Sequence, residues 1–290
     1  MQDIRGITCL IGAAQRTRRL TLGRVFVAIT VAAVGLGPAL AHATTVGVVD
    51  GRVLIKALPG EINNLRIEGG AIGEVGLFFS VAELGQVRLA AGPQCSVNQA
   101  RNGVRCFDVG PRVTANLGDG DDKIENLMFH GDLAVPELVA HLGDGRDAFS
   151  SGTHPLQSRD TVFGDGGPDR LFGGDLADVL IGGTGHDQID GELGRDRLAG
   201  GPGNDAIGPL AAFPTRTCFP LSARSVCRTE FFLVNPSPDD TDFVSGGDGR
   251  DELSIVDGTT DAGVSCGKGF DALQIDLLLD PAPAADCEGF

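Results

Sequence analysis

The chain has 290 residues, 44 of them glycine, and contains neither Trp nor Tyr; 39 acidic against 23 basic residues give a net charge of −16. A surface of that sign repels phosphate backbones and excludes nucleic acid as a natural partner, while cations are its natural counter-species. The missing Trp and Tyr also argue against stacking sites for bases or sugars, although Phe is plentiful.

Residues 1–43 read as a secretory signal peptide. Arg5, Arg16, Arg18, Arg19 and Arg24 form a basic leader, VFVAITVAAVGLGPALA follows as an apolar run, and Ala41-His42-Ala43 supplies an A-x-A cleavage site. A membrane anchor is the alternative. Against it, the run is short, is interrupted by Gly35, Gly37 and Pro38, and ends in small residues. TRRLTLG (17–23) loosely resembles a twin-arginine export signal, with Thr21 in place of the usual Phe. Cleavage removes five Arg and Asp3, leaving 18 basic and 38 acidic residues and a net charge of −20. The expectation is a secreted, extracellular protein with no membrane contact after signal cleavage.

Residues 44–116 show short apolar runs cut by Gly, as in VGVVDGRVLIKAL and EVGLFFSVAEL. β-Branched residues and near-alternation predict strands, making this an N-terminal β-rich segment and a candidate cap for a solenoid. From residue 155 the chain falls into nines: PLQSRDTVF, GDGGPDRLF, GGDLADVLI, GGTGHDQID, GELGRDRLA and GGPGNDAIG. The sixth place is always Asp (Asp160, Asp169, Asp178, Asp187, Asp196, Asp205). The eighth is always aliphatic (Val162, Leu171, Leu180, Ile189, Leu198, Ile207). A fixed period of this kind is the signature of a stacked repeat. Related pieces carry Asp122, Asp147, Asp251 and Asp271 in the same local setting, and Asp242 precedes Asp251 by nine. Residues 117–208 are therefore read as the repeat region and 209–241, with five prolines, as an insertion. Residues 242–290 are read as degenerate repeats and a C-terminal cap, in which DALQIDLLLD suits a strand or a short helix.

Nine residues fit a six-residue turn followed by a three-residue strand whose middle side chain points inward. One nonapeptide cannot bury that side chain alone, so repeats must stack into a narrow parallel solenoid with two repeats per coil. Residues eighteen apart then come into register: Asp160, Asp178 and Asp196 line one edge, and Asp169, Asp187 and Asp205 the other. Carboxylates roughly 5 Å apart repel, so a cation must lie between them. Carboxylates with turn carbonyls form an all-oxygen set that suits Ca²⁺ better than Mg²⁺, which demands a tighter octahedron; Zn²⁺ would need His or Cys clusters. The candidate ligands are Asp160, Asp169, Asp178, Asp187, Asp196 and Asp205, the turn residues Gly167, Gly183, Gly185, Gly194, Gly201 and Gly203, and the related Asp122, Asp147, Asp251 and Asp271.

The run resembles the RTX (hemolysin-type) calcium-binding repeat, G-G-x-G-x-D-x-U-x. GGTGHDQID and GGPGNDAIG match in full. Glu192 and Asp165 stand at the second Gly of their repeats, Leu176 at the third Gly of GGDLADVLI, and PLQSRDTVF keeps only Asp160 and Val162. The resemblance implies an all-β, right-handed parallel β-roll with Ca²⁺ held between stacked turns by Asp carboxylates and backbone carbonyls.

Six cysteines remain after cleavage, an even count that suits disulfides in an exported chain. Fifteen pairings are open; the adjacent one (95–106, 218–227, 266–287) closes only short local loops and is preferred. Several motifs invite enzymatic readings. GVSCG (263–267) fits a nucleophile elbow, yet no His follows His186 and no helix pattern follows the motif. Asp119-Gly120-Asp121-Asp122 hints at an EF-hand loop but is followed by Lys123 and no correctly spaced Glu. His186 has no second His in phase and reads as a turn residue; His130, His141 and His154 are scattered. The expectation is a secreted, non-enzymatic calcium-binding scaffold in which ion binding and folding are one equilibrium. One alternative is a calcium-dependent adhesin or matrix protein with an unidentified cell-surface partner. The other is an enzyme whose catalytic part is 44–116, a segment that contains no His.

Overall fold

Two long sheets, parallel over most of their strands and joined by turns along two edges, make up most of the described residues. The computed structural model describes residues 43–71, 76–98, 102–129, 135–152, 158–208, 217–221, 224–228, 241–255, 260–275, 280 and 286–287. The expected signal peptide, apart from Ala43, and most of the insertion lie outside these residues. Ala39–Phe290 form one compact unit.

The chain begins with β1 (Ala43–Val49), β2 (Arg52–Lys56), β3 (Asn64–Ala71), β4 (Leu77–Glu83), β5 (Arg88–Ala91), β6 (Cys95–Asn98), β7 (Gly103–Phe107) and β8 (Arg112–Asn116). There follow β9 (Lys123–Met128), β10 (Glu137–Asp144), β11 (Ala148–Ser151), β12 (Arg159–Gly166), β13 (Arg170–Gly174), β14 (Val179–Thr184), β15 (Gln188–Glu192), β16 (Arg197–Gly203) and β17 (Ala206–Ile207). The rest comprises β18 (Thr217–Leu221), β19 (Arg224–Arg228), β20 (Phe243–Gly249), β21 (Glu252–Ile255), β22 (Gly263–Gly269) and β23 (Ala272–Ile275). One sheet has the order β22-β20-β16-β14-β12-β10-β8-β2-β1-β5; the other, β23-β21-β17-β15-β13-β11-β9-β3-β4-β7-β6. From β8 and β9 onward the chain, apart from the β18–β19 hairpin, alternates between the sheets, and each new strand pairs in parallel with the one a full coil earlier. This is a parallel β-roll, and among the described residues it contains no helix.

The aliphatic column explains why the coils stack. Leu171 pairs in register with Ile189 and Ile189 with Ile207, while Val162, Leu180 and Leu198 form the equivalent row across the core. All six are at most 2 % exposed. Ile124 and Phe149 extend the first row; Val244 and Val264 extend the second. Strand alternation puts the flanking residues outside, so each nonapeptide coil buries one apolar residue per sheet and depends on its neighbours for the rest of its contacts.

The strands of the first sheet are longer than the expected three residues. Asp165 and Gly166 still pair with Gly183 and Thr184, so the opening half of each turn stays in the ladder. At the N-terminal end, β2 and β3 pair in parallel with β8 and β9, and the antiparallel hairpins β1–β2 and β3–β4–β7–β6 finish the stack. The Cys95–Cys106 disulfide ties β6 to β7. At the other end DALQIDLLLD opens as strand β23, and Cys266–Cys287 fastens the tail to β22. In the insertion, β18 and β19 form an antiparallel hairpin whose register sets Cys218 opposite Cys227; their side chains lie outside the described residues.

Candidate metal centre

The turns that carry the chain from the first sheet into the second form the first edge of the roll. Seven are stacked there, at 117–122, 142–147, 164–169, 182–187, 200–205, 246–251 and 266–271. All have six residues and end in Asp. The second place has a left-handed backbone in every one: Gly118, Gly143, Asp165, Gly183, Gly201, Gly247 and Gly267 have φ between 69° and 121°. Glycine is needed there because the preceding coil crowds in. A Cβ on Gly183 or Gly201 would lie 2.2 Å from the second-place carbonyl oxygen of the coil before. Asp165 fits by taking φ 69°, and Glu192 on the other edge by taking 67°, where the glycines of this column open to 93–121°. In the fourth place, Cβ atoms on Gly167, Gly185 and Gly203 would lie 1.6, 2.0 and 1.5 Å from the carbonyl oxygens of Gly145, Gly167 and Gly185. The coils thus press carbonyl oxygens into two continuous columns along this edge.

The Asp side chains fold beneath the turns. The N–H of Asp122 donates to Oδ1 of Asp147 (2.7 Å), that of Asp147 to Asp169 (2.8 Å), that of Asp169 to Asp187 (2.9 Å) and that of Asp187 to Asp205 (2.9 Å). Asp205 donates on to Asp251, and Asp251 to Asp271 (2.9 Å each). The expected mutual repulsion of bare carboxylates is therefore partly relieved, since one oxygen of each is neutralised by a neighbouring backbone donor. The other oxygen is not. Oδ2 of Asp122, Asp147, Asp169, Asp187, Asp205, Asp251 and Asp271 is buried with no hydrogen-bond partner, in side chains at most 2 % exposed.

Orphaned carboxylate oxygens of this kind are costly without a cation or a proton. Desolvation raises the pKa of Asp169 to about 8, of Asp122 and Asp205 to about 7, and of Asp147 to about 6, and neighbouring carboxylates push the same way. It also raises Asp187 and Asp251. Buried anionic oxygen beside stacked carbonyls, with no donor in reach, fits a hard divalent cation. Among the described residues no group of three or more His, Cys, Asp or Glu side chains converges, so each turn offers one buried carboxylate and backbone oxygens rather than a zinc-type cluster.

The second edge is uneven. Its own ladder runs from the Asp160 N–H to Asp178, from Asp178 to Asp196, and on through Asp242 and Asp261. Turns 173–178 and 191–196 keep the left-handed second place at Gly174 and Glu192, and Gly194 sits where a Cβ would meet the Leu176 carbonyl at 2.8 Å. Asp178 retains a buried orphan Oδ2, and desolvation followed by the Asp160 charge raises its pKa to about 10. Asp160 differs from the expected ligand row. Asn126 Nδ2 donates to both its oxygens (3.1 and 3.0 Å) and Ser151 Oγ donates to Oδ2 (2.8 Å), so side chains do for this carboxylate what a cation would do elsewhere.

The motifs with enzymatic overtones are absorbed into the scaffold. Ser265 donates to Asp286, and Cys266 is bridged. Asp119 accepts the Gly60 N–H and Asp121 the Arg146 N–H, both between coils. His186 accepts the Asn204 N–H at Nδ1 (2.8 Å), and His141 stacks on Phe163. His130 and His154 lie outside the described residues. Sequence reading missed the cap of the first-edge ladder, Asn63, whose N–H donates to Asp122 Oδ1 (2.7 Å).

Fold and turns together define a parallel β-roll with Gly- and Asp-rich turns. Residues 157–175 and 172–207 match the family described as RTX calcium-binding nonapeptide repeat. Over 157–207 the chain is thus similar to the RTX calcium-binding repeats, and Ca²⁺ is the ion such repeats bind. No curated protein and no solved structure matches the chain.

Proposed function

We propose that this is a secreted, non-enzymatic protein whose β-roll takes up Ca²⁺ between stacked turns, so that ion binding and folding are a single equilibrium. The observation that carries the reading is the row of seven buried, partnerless Oδ2 atoms along one edge. Seven uncompensated carboxylates in a glycine-rich chain oppose folding, and a cation shared between neighbouring turns removes that opposition. Secretion is supported by the Cys95–Cys106 and Cys266–Cys287 disulfides, which persist in oxidising surroundings, and by the signal-like 1–43. In millimolar extracellular calcium the roll is rigid; in a low-calcium cytoplasm it is loose and easier to export. A non-enzymatic role is supported by the structural employment of Ser265, Cys266 and His186. Calorimetric titration of the full chain tests this. Saturable heat with Ca²⁺, not reproduced by Mg²⁺ at the same concentration, is expected. Absence of calcium heat would overturn the reading.

A further inference from the structure

We infer that the calcium sites form one continuous file of six inter-turn spaces along the first edge, running past both ends of the nonapeptide block, while the second edge is the one released to carry insertions. The inference rests on the calcium reading above and assigns it to particular turns. Its first support is chain length. Consecutive rungs of the first-edge ladder, from Asp122 to Asp271, are 25, 22, 18, 18, 46 and 20 residues apart. Yet all seven first-edge turns keep six residues. In sequence, every surplus residue therefore comes after a second-sheet strand and before the next first-sheet strand, within 129–136, 152–158, 208–242 and 256–262. A turn that only connected strands would tolerate insertion as readily as the other edge does. A turn that must align its oxygens with those above and below would not.

The second support is geometric. Turns 117–122, 142–147, 246–251 and 266–271 lie outside the 157–207 family match. They nevertheless share the left-handed second place, the buried orphan Oδ2 and both carbonyl columns with the turns inside it. A Cβ on Gly247 would lie 2.1 Å from the Gly201 oxygen, one on Gly269 1.4 Å from the Gly249 oxygen, and one on Gly143 1.6 Å from the Gly118 oxygen. The file ends at Asn63, a neutral residue on the Asp122 rung. On the second edge only turns 173–178 and 191–196 stack in the same form among the described residues, which allows one space there.

Counting bound Ca²⁺ on the intact, disulfide-bonded chain by native mass spectrometry tests the inference. Asp147→Asn and Asp251→Asn, both outside the nonapeptide block, are expected to lower the count by one or two ions each. Asp261→Asn, on the second edge, is expected to leave it unchanged. Circular dichroism at saturating calcium confirms that each variant is folded. A variant that fails to fold is replaced by its counterpart in the same class, Asp122→Asn or Asp242→Asn. An unchanged count in the Asp147 and Asp251 variants, or a loss in the Asp261 variant, would overturn the single-edge file while leaving calcium binding by the repeats intact. A wild-type chain that binds no calcium would instead remove the functional reading on which the file rests.

Discussion

Each first-edge Asp does two jobs with two oxygens. Oδ1 of Asp187 holds the Asp169 N–H, and Oδ2 is left buried without a donor. The two jobs separate in Asp187→Asn, whose amide oxygen can still accept that N–H while the buried charge disappears. The variant is expected to show more residual β-sheet signal than wild type in EGTA and to melt at a lower temperature in millimolar Ca²⁺; less β-sheet signal than wild type in EGTA, or a higher melting temperature in Ca²⁺, would contradict the assignment. pH acts on the same atoms. Burial raises the folded-state pKa of Asp147, Asp205 and Asp169 to about 6, 7 and 8, above the value of a free carboxyl near 3.9. For a carboxyl shifted upward, the stabilising form is the protonated one. That stability is fully present below the unfolded pKa and is lost as pH rises through the folded values. The calcium-free chain should therefore lose stability between about pH 4 and pH 8, whereas calcium affinity should climb through pH 6–8 as cations displace protons. Calorimetry in two buffers of different ionisation heat would show proton release on binding at pH 6–7, and equal heats would count against it.

Among the elements, the aliphatic rungs were legible in the sequence because the period is strict. Val162, Leu171, Leu180, Ile189, Leu198 and Ile207 occupy the core rows. Ile189→Ala removes a fully buried rung between Leu171 and Ile207 and should cost about 2–5 kcal/mol in calcium, measured by denaturant unfolding. Less legible were the coils outside 155–208, because insertions on one edge break the nine-residue count while the six-residue turn survives. The spacing Gly-x-Gly-x-Asp alone, followed without a fixed period, finds the turns at 118–122, 143–147, 247–251 and 267–271. The N-terminal coil was hidden for another reason: β2 and β3 join the roll through a turn, Leu58–Asn63, that has Glu61 and Asn63 where the repeats have Gly and Asp. The donors that saturate Asp160, Asn126 and Ser151, come from another coil, and no local pattern announces them. The tail is held more simply. Cys266–Cys287 closes a separation of 21 residues while Asp286 accepts the Gly267 N–H, so Ala at both cysteines should lower stability by about 3 kcal/mol.

For the molecule as a whole, stability is a sum over coils, each contributing apolar rungs inside and unsatisfied carboxylates beneath its turns. A net charge of −16 adds long-range repulsion to the local cost. Both are lifted by the same ions, so the roll should assemble cooperatively over a narrow range of free calcium, and hardly at all without it. The most direct test is far-ultraviolet circular dichroism of the full chain, with its disulfides intact, titrated with Ca²⁺ and then with EGTA. A disordered spectrum that turns to β-sheet on calcium addition and reverts with EGTA is the predicted result. A β-sheet spectrum unchanged by EGTA would contradict the coupling of ion binding to folding.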